Sequence, residues 1–301
     1  MDEILLAHLI NPEELLWFLS RGFDEPVYRV SSNSVFRAFK LGSEKFLVKI
    51  IPGIRSVKIE WLCGERTAKK AAFVKEFVGE WFDLEADTTP FYELLKANDK
   101  LYYMAEDFNG LKLIGMPDLF EALAWAIIGQ QINLTFAYKL KRRLIEKYGD
   151  FIEHEGEVYY IFPSPEAIAA ADPESLRKMQ LSGSKVTYLK NVAAAFAAGK
   201  IDKAILKALP DSVSRRELLT AQKGIGVWTA NYVLMKCLRD QTAVPFGDAG
   251  LLNALLGHGI IANKTELKGM YELFENFKGW EAYLVFYLWR SLAPRPEVSG
   301  N

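Results

Sequence analysis

Two glycines flank a single isoleucine in the second half of the chain, at Gly224-Ile225-Gly226, and an apolar helical pattern starts directly behind them. Glycine has no Cβ, so both glycines can take positive φ and present backbone N–H groups outward. A glycine turn that leads into a helix N-terminus binds anions well. The segment therefore predicts two helices joined by a hairpin that holds a nucleic-acid phosphate, although a tight helix–helix connection fits the same residues.

An aspartate follows this motif at Asp248, after Gly247 and before a predicted helix at Leu251–Leu256. Aspartate is a common helix N-cap, and that is its simplest role here. A carboxylate fixed about 4 Å from a developing cation would contribute on the order of 4 kcal/mol at an effective dielectric near 20. That is roughly a thousandfold in rate. We expect Asp248 to be an N-cap and a catalytic carboxylate at once.

The helix after the hairpin carries two aromatic residues, Trp228 and Tyr232, on an otherwise largely apolar segment. Residues four apart share a helix face. Their rings either pack in the core or wall a base pocket, where stacking contributes roughly 1–3 kcal/mol per base. Thr229 and Asn231 are the polar positions of the same helix.

The charge balance argues against a protein that coats nucleic acid without specificity. The chain has 37 basic and 38 acidic residues, for a formal charge of −1, whereas such proteins are strongly basic. We predict instead that nucleic acid is bound by a limited part of the protein surface. Basic residues recur within Lys139–Lys147, and the helical pattern predicts Lys139, Lys141, Arg142 and Arg143 on the outer side of a helix.

Metal and membrane sites are not expected. Cys63 and Cys237 are too few and too far apart for a metal cluster, and the three histidines are scattered. Met1–Ile10 lacks the basic start of a secretory signal. The longest apolar run, Ala282–Trp289, is too short to span a bilayer and predicts a buried helix. We expect a monomeric, cytoplasmic protein with no membrane partner.

Residues 1–112 predict a small mixed α+β domain with an antiparallel sheet. Val35–Leu41 and Phe46–Ile51 are rich in β-forming residues and flank Gly42-Ser43, which is typical of a hairpin. Val27–Val30 is a further candidate strand. Phe73–Leu84 is apolar, and its pattern fits a helix or a strand.

Residues 113–301 predict an all-helical region, so the fold class is mostly α. Asp118 is positioned to cap the first helix, and Ser182 to cap another. The predicted helices are one that follows Asp118 and carries Phe120 to Ile128, and then Leu134–Tyr148, Pro163–Ala171, Pro173–Met179, Val186–Ala198, Arg216–Gln222, Val227–Arg239, Leu251–Leu256, Lys264–Phe274 and Glu281–Leu292.

Four segments together resemble the helix-hairpin-helix DNA glycosylase superfamily, and most of all its type II 3-methyladenine (alkylpurine) branch. They are Phe120–Gln131, Gly224–Tyr232, Gly247-Asp248 and Tyr283–Trp289. The likeness spans about residues 77–289, and more weakly the N-terminal domain. It implies a helix-hairpin-helix glycosylase bundle preceded by the small mixed domain.

The resemblance also implies roles for individual residues. Asp248 falls on the family's catalytic aspartate, and Trp228, Tyr232 and Trp289 fall on or beside its base pocket. Trp228 occupies the position where bifunctional members carry a nucleophilic lysine, which implies base release without strand cleavage. Contacts to DNA are implied for Gln131, as the residue that fills the gap left by an everted nucleotide, and for the hairpin residues Gly224, Ile225, Gly226 and Thr229.

The implied reaction is excision of 3-methyladenine- or 7-methylguanine-type bases from double-stranded DNA, by flipping the nucleotide and hydrolysing its N-glycosidic bond. The resemblance implies no cofactor, since the iron–sulphur cysteines of other branches are absent, but it allows a monovalent cation between the hairpin and a phosphate. In a prokaryote the protein would act at the nucleoid.

Three alternatives stay open at this point. The enzyme could excise deaminated or oxidised bases instead of alkylated ones. The chain could bind damaged DNA without catalysis. It could also be a helical interaction module in which the Gly-x-Gly turn is incidental.

Overall fold

The computed structural model describes residues 1–293, and its N-terminal part contains a five-stranded antiparallel sheet. The strands are β1 (Asp2–Leu5), β2 (Arg29–Ser31), β3 (Ser34–Leu41), β4 (Glu44–Pro52) and β5 (Ser56–Cys63). They lie in the order β1-β5-β4-β3-β2. The predicted hairpin is confirmed, with Leu41 opposite Glu44 across Gly42, whose φ is +64°. The strand predicted at Val27–Val30 instead starts at Arg29.

Four helices accompany this sheet: α1 (Pro12–Leu19), α2 (Ala68–Phe82), α3 (Thr89–Lys96) and α4 (Met104–Asp107). The segment Phe73–Leu84, which the sequence left open, is mostly helical. Phe73 and Phe77 lie one turn apart on α2, with ring centroids 5.7 and 4.9 Å from that of Phe39 in β3. This apolar face packs on the sheet, which is what selects the helix.

The second part of the chain is mostly helical, as predicted. Its helices are α5 (Leu119–Gly129), α6 (Leu134–Tyr148), α7 (Pro165–Ala170), α8 (Pro173–Arg177), α9 (Gly183–Ala197), α10 (Lys203–Ala208), α11 (Ser212–Thr220), α12 (Val227–Val233), α13 (Ala249–Gly257), α14 (Lys268–Asn276) and α15 (Glu281–Ser291). Asp118 and Ser182 cap α5 and α9, which confirms both predictions. The helix predicted to run to Arg239 continues past Val233 as a π-helical turn, Leu234–Leu238.

The prediction of an all-helical region from residue 113 is wrong at one place. Strands β6 (Asp150–His154) and β7 (Glu157–Ile161) form a hairpin whose two turn residues, Glu155 and Gly156, have φ of +52° and +78°. Positive φ at both positions suits the twist of a two-residue hairpin. The hairpin packs on the N-terminal sheet, where Lys45 Nζ lies 2.7 Å from Asp150 Oδ1. Residues 294–301 of the predicted region lie outside the described residues.

The prediction for Lys141 is also wrong, because this side chain points into the core and not to solvent. It is 0% exposed, and its Nζ lies 2.8 Å from Glu25 Oε2 and 3.0 Å from Glu121 Oε1. Burial by itself acts to lower the pKa of Lys141, but the charges of Glu25 and Glu121 outweigh it and leave that pKa raised. Two carboxylates from distant parts of the chain explain how a lysine is accommodated there.

A buried core runs across the predicted boundary at residue 112. The apolar run Ala282–Trp289 lies in α15 and is almost wholly buried, as predicted for it. Tyr287 Oη donates to the carbonyl of Leu111 at 2.8 Å, and Arg290 makes two hydrogen bonds to Glu14 in α1, at 2.7 and 3.0 Å. Helix α1 and the segment at Leu111 are thereby fixed to α15, and the division at 112 stays a prediction.

Membrane insertion finds no support in residues 1–293, where no helix has both the length and the apolar character to cross a bilayer.

We expect Glu14→Gln to lower the free energy of unfolding by about 3 kcal/mol, because it leaves the buried Arg290 guanidinium without its counter-charge. Urea unfolding measures this change. The matched control is Glu13→Gln on the exposed side of the same helix, for which we expect a few tenths of a kcal/mol. Equal losses in the two variants would contradict the assignment.

Candidate active site

The hairpin between α11 and α12 has one glycine in a conformation that only glycine accepts here. Gly224 has φ of +102°, and a Cβ on it would lie 2.3 Å from Cγ of Tyr188. Gly226 has φ of −85°, so the expectation of two left-handed glycines holds for Gly224 alone. Open space surrounds the position of a Gly226 Cβ, which leaves the main chain accessible to a ligand.

The N-terminus of α12 is free to receive an anion. Gly226 is its N-cap and has no side chain to bond the first N–H groups, and Val227 beside it is 61% exposed. Ile225 as a whole is only 4% exposed and its N–H donates to the carbonyl of Gln222 at 3.1 Å, so the main chain that a ligand can reach is that of the exposed Gly226. The predicted phosphate-binding arrangement is thus a backbone surface.

The loop after α5 meets the hairpin from the other side. Gln130 Nε2 donates to Thr229 Oγ1 at 3.1 Å and lies 3.4 Å from the carbonyl oxygen of Gly224. Thr229 is 2% exposed, so its hydroxyl supports the hairpin and does not project from it. Gln131, next along, is exposed and has φ of +57°, an uncommon conformation for a residue with a side chain.

Three aromatic side chains come together beside this hairpin. Trp228 and Tyr232 lie on one helix face, as their spacing predicted, and their rings stack with centroids 5.5 Å apart and an interplanar angle of 20°. The ring of Trp289 in α15 lies 6.1 Å from that of Tyr232. Trp125 Nε1 donates to the hydroxyl of Tyr232 at 3.0 Å, and this hydrogen bond fixes the position of the Tyr232 ring. Burial raises the pKa of Tyr232, so it stays a neutral phenol.

Asp248 is the N-cap of α13, which confirms that prediction. Its Oδ1 accepts hydrogen bonds from Leu251 N at 2.8 Å and from Trp289 Nε1 at 2.9 Å. Within residues 1–293, no hydrogen bond involves its other oxygen, Oδ2, and the side chain is only half-buried. One carboxylate oxygen is therefore fixed, and the other is available to a ligand.

Gly250 packs directly against this hydrogen bond. A Cβ on Gly250 would lie 3.0 Å from Asp248 Oδ1 and 3.3 Å from Trp289 Nε1. These separations are tighter than ordinary van der Waals contact, so a larger residue would displace the carboxylate or the indole. The sequence gives no sign of this role for Gly250, because the role depends on Trp289, which lies far along the chain.

A cleft of about 1470 Å³ joins these groups. Its lining includes most of the predicted site residues, namely Asp248, Trp228, Tyr232, Trp289, Gln131, Thr229 and Gly226. Gly224 and Ile225 belong to the hairpin but do not line the cleft. The N-terminal part supplies a wall that the sequence analysis missed, formed by Trp17, Phe18, Arg21, Phe23 and Tyr28. The aromatic residues close to Arg21 in the sequence could have indicated this wall of the cleft, but the same pattern also occurs in hydrophobic cores.

Lys236, in the π-helical turn, is a buried amine at the edge of this cleft. Its Nζ donates to the carbonyl of Ile114 and lies 5.0 Å from the ring centroid of Phe286. Among the described residues no carboxylate forms an ion pair with it. Burial, with a smaller contribution from the charge of Arg21, lowers the pKa of Lys236 to about 7.

Similarity to known proteins agrees with this geometry. Residues 124–278 match the family described as "HhH-GPD superfamily base excision DNA repair protein". The chain belongs to this family. Over 292 residues it is 36% identical to a DNA-3-methyladenine glycosylase of Bacillus subtilis (strain 168), covering 96% of each chain.

More distant relatives agree with this placement. DNA-3-methyladenine glycosylase 2 of Escherichia coli (strain K12) is 26% identical over 286 residues, and 94% of each chain is covered. The solved 3-methyladenine DNA-glycosylase from Archaeoglobus fulgidus superposes with a TM-score of 0.82 at 28% identity, over 96% of this chain and 98% of that one. The predicted fold, a helix-hairpin-helix glycosylase bundle preceded by a mixed domain, is confirmed.

A metal site is not evident in the part of the chain that the structure describes. Residues 1–293 contain no group of three or more histidine, cysteine, aspartate or glutamate side chains placed to hold a metal ion.

The buried amine gives a pH-dependent prediction. An unfolded lysine keeps its proton up to about pH 10, whereas Lys236, with a pKa of about 7, keeps its proton only below about pH 7. Between these values the unfolded chain binds more protons than the native one, so this group makes the free energy of unfolding rise with pH, by up to about 1.4 kcal/mol per unit. Lys236→Met removes the effect. We expect this variant to be more stable than wild type at pH 7, by a margin that shrinks toward pH 10.

Urea unfolding of both proteins at pH 7, 8 and 9 tests this expectation. Lys223→Met is the control, since Lys223 is exposed and should show no such pH dependence. A stability difference between Lys236→Met and wild type that stays constant from pH 7 to 9 would show that the native amine is charged.

Proposed function

We propose that this protein is a monofunctional DNA glycosylase of the type II 3-methyladenine class, which excises alkylated bases from double-stranded DNA in base excision repair. The observation that carries the proposal is the half-fixed carboxylate of Asp248 in a cleft walled by Trp228, Tyr232 and Trp289. The Bacillus subtilis relative, a DNA-3-methyladenine glycosylase that matches this chain almost end to end, supports the same substrate class.

In this proposal the hairpin holds DNA by its main chain. The accessible backbone at Gly226 and the uncapped start of α12 receive a phosphate, and such contacts position the duplex without selecting its sequence. Gln131 stands exposed at the rim of the same cleft, where its side chain can enter the gap that an everted nucleotide leaves. The near-neutral net charge of the chain is consistent with DNA binding that is confined to this surface.

The proposed chemistry uses one carboxylate. N3- or N7-alkylation already places a positive charge on the purine, and that ring is attracted to the faces of the pocket aromatics. When the bond from C1′ to the base nitrogen breaks, its electron pair neutralises the base and leaves positive charge on the sugar. Oδ2 of Asp248 stabilises this sugar cation until water adds to C1′ and loses a proton. An ordinary glycosidase needs a second carboxyl group as acid, whereas a cationic leaving group does not.

Strand cleavage is not part of the proposal. Trp228 stands where the resemblance places the nucleophilic lysine of bifunctional members, and an indole cannot form a Schiff base. Lys236 is the lysine that lines the cleft, but it is 6% exposed and its amine is bonded to the carbonyl of Ile114. Borohydride treatment during turnover is therefore expected to trap no protein–DNA adduct.

We further propose that the protein acts as a monomer in the cytoplasm, at the nucleoid in a prokaryote, and needs no resident cofactor. A monovalent cation that bridges hairpin carbonyls to a DNA phosphate is compatible with this account. Dependence of DNA affinity on K⁺ at constant ionic strength would detect it.

Asp248→Asn tests the central role of the carboxylate. Asparagine is an equally good N-cap and can keep both hydrogen bonds to Oδ1, so the substitution removes charge with little effect on structure. We expect release of 3-methyladenine under single-turnover conditions to fall about a thousandfold while affinity for abasic-site DNA is retained.

The matched control is Asp211→Asn, the same change at the N-cap of α11, which we expect to leave the rate within about twofold. Undiminished excision by Asp248→Asn would remove Asp248 from the mechanism. Wild-type release of hypoxanthine, uracil or 8-oxoguanine, with none of 3-methyladenine, would favour the alternative substrate classes. DNA binding without release of any base would favour a non-catalytic damage-binding protein.

Gly250→Ala tests the positioning of the same carboxylate. The added methyl group must displace Asp248 Oδ1 or Trp289, since both lie within 3.3 Å of its position. We expect base release to fall about tenfold with unchanged affinity for abasic-site DNA, because small displacements of reacting groups are costly. Gly257→Ala on the same helix has open space around it and serves as the control. Equal activity of the two variants would count against the required geometry.

A further inference from the structure

Arg21 is a cation on the N-terminal wall of the cleft, and neither the hairpin nor the catalytic aspartate accounts for it. It follows the end of α1 and is half-buried. Its Nε donates to the carbonyl of Phe18 at 2.8 Å, and its guanidinium carbon lies 3.6 Å from the centroid of the Phe18 ring. The hydrogen bond at one edge of the guanidinium and the Phe18 ring against one of its faces together restrict the orientation of this group.

Among residues 1–293, three other cations near the cleft are paired with carboxylates, whereas Arg21, like the buried Lys236, is not. Arg37 lies 2.9 Å from Glu121, Lys141 contacts Glu25 and Glu121, and Arg290 is paired with Glu14. In residues 1–293 no carboxylate pairs with Arg21, and its two terminal amino groups donate to no protein group. These amino groups therefore have donors available for a ligand in the cleft.

Such a group is poorly matched to a cationic base and well matched to a neutral base that carries a carbonyl oxygen. A guanidinium is a strong donor to the O6 acceptor of a purine. When a neutral base leaves, the electron pair of the C1′–N9 bond stays on it, and negative charge spreads over the ring and onto O6. A fixed cation at O6 stabilises that charge. Water then adds its oxygen to C1′, and its proton neutralises the base.

We propose that Arg21 determines specificity within the glycosylase function proposed above, by donating to O6 of an everted 6-oxopurine such as hypoxanthine. The charge on the departing base decides which substrates Arg21 affects. For hypoxanthine, whose ring gains negative charge, the guanidinium lowers the barrier. For 3-methyladenine, whose ring loses its positive charge as it leaves, the same guanidinium gives no advantage. Arg21 thus extends the activity from cationic bases to neutral oxopurines.

A purely structural role is the competing explanation, since Arg21 bonds a carbonyl at the end of α1 and covers Phe18. The two roles differ in how they depend on the substrate. Loss of a structural contact would change the release of all bases alike. Loss of the donor to O6 would change the release of oxopurines alone.

The experiment measures single-turnover release of three bases by wild type and Arg21→Met. The substrates are a duplex with hypoxanthine, a duplex with unsubstituted purine, which lacks O6, and methylated DNA that contains 3-methyladenine. We expect Arg21→Met to slow hypoxanthine release about 10- to 100-fold, the range of a charge-assisted hydrogen bond. Release of purine and of 3-methyladenine should stay within about threefold of wild type.

Two further variants complete the design. Arg55→Met makes the same change at an exposed arginine outside the cleft lining and should leave all three rates unchanged. Arg21→Gln replaces Arg21→Met if the latter does not fold. A uniform loss on all three substrates would overturn the role of Arg21, as would a wild type that releases 3-methyladenine but no hypoxanthine. A wild type that releases no base would instead defeat the proposed function itself.

Discussion

The hydrogen bond from Trp289 to Asp248 is the interaction on which the site depends. It joins the start of α13 to α15, and together with the N-cap bond from Leu251 it fixes one oxygen of a carboxylate that lines the cleft, while the other oxygen has no hydrogen bond within residues 1–293. Gly250 provides the space for this contact. Because Arg290 anchors α15 to α1, the orientation of the carboxylate depends on the core that both parts of the chain share.

Features governed by local rules were predictable from the sequence. The N-cap role of Asp248 could be predicted because aspartate commonly takes this position before an apolar helix. Trp228 and Tyr232 stack because residues four apart share a helix face. The left-handed Gly224 and the sheet hairpin at Gly42 follow from the conformational freedom of glycine. These elements depend on neighbours in sequence, so a single chain was enough to place them.

Features that depend on contacts between distant residues were missed or placed wrongly. Lys141 carries the outward spacing of a surface lysine, yet its partners Glu25 and Glu121 draw it into the core. The β6–β7 hairpin forms against the N-terminal sheet through contacts such as Lys45 to Asp150, which are 105 residues apart in sequence. Arg21 contributes to the cleft because α1 docks on α15, a contact that no spacing in the sequence reveals.

The most direct test of the account is the preference of the enzyme for a sugar that carries positive charge. Duplexes with a cationic pyrrolidine or a neutral tetrahydrofuran at the lesion position differ mainly in that charge, and the former resembles the transition state. If Asp248 Oδ2 faces the everted sugar, wild type should bind the pyrrolidine duplex at least about tenfold more tightly, and Asp248→Asn should lose that preference. An equal preference in both proteins would contradict the account.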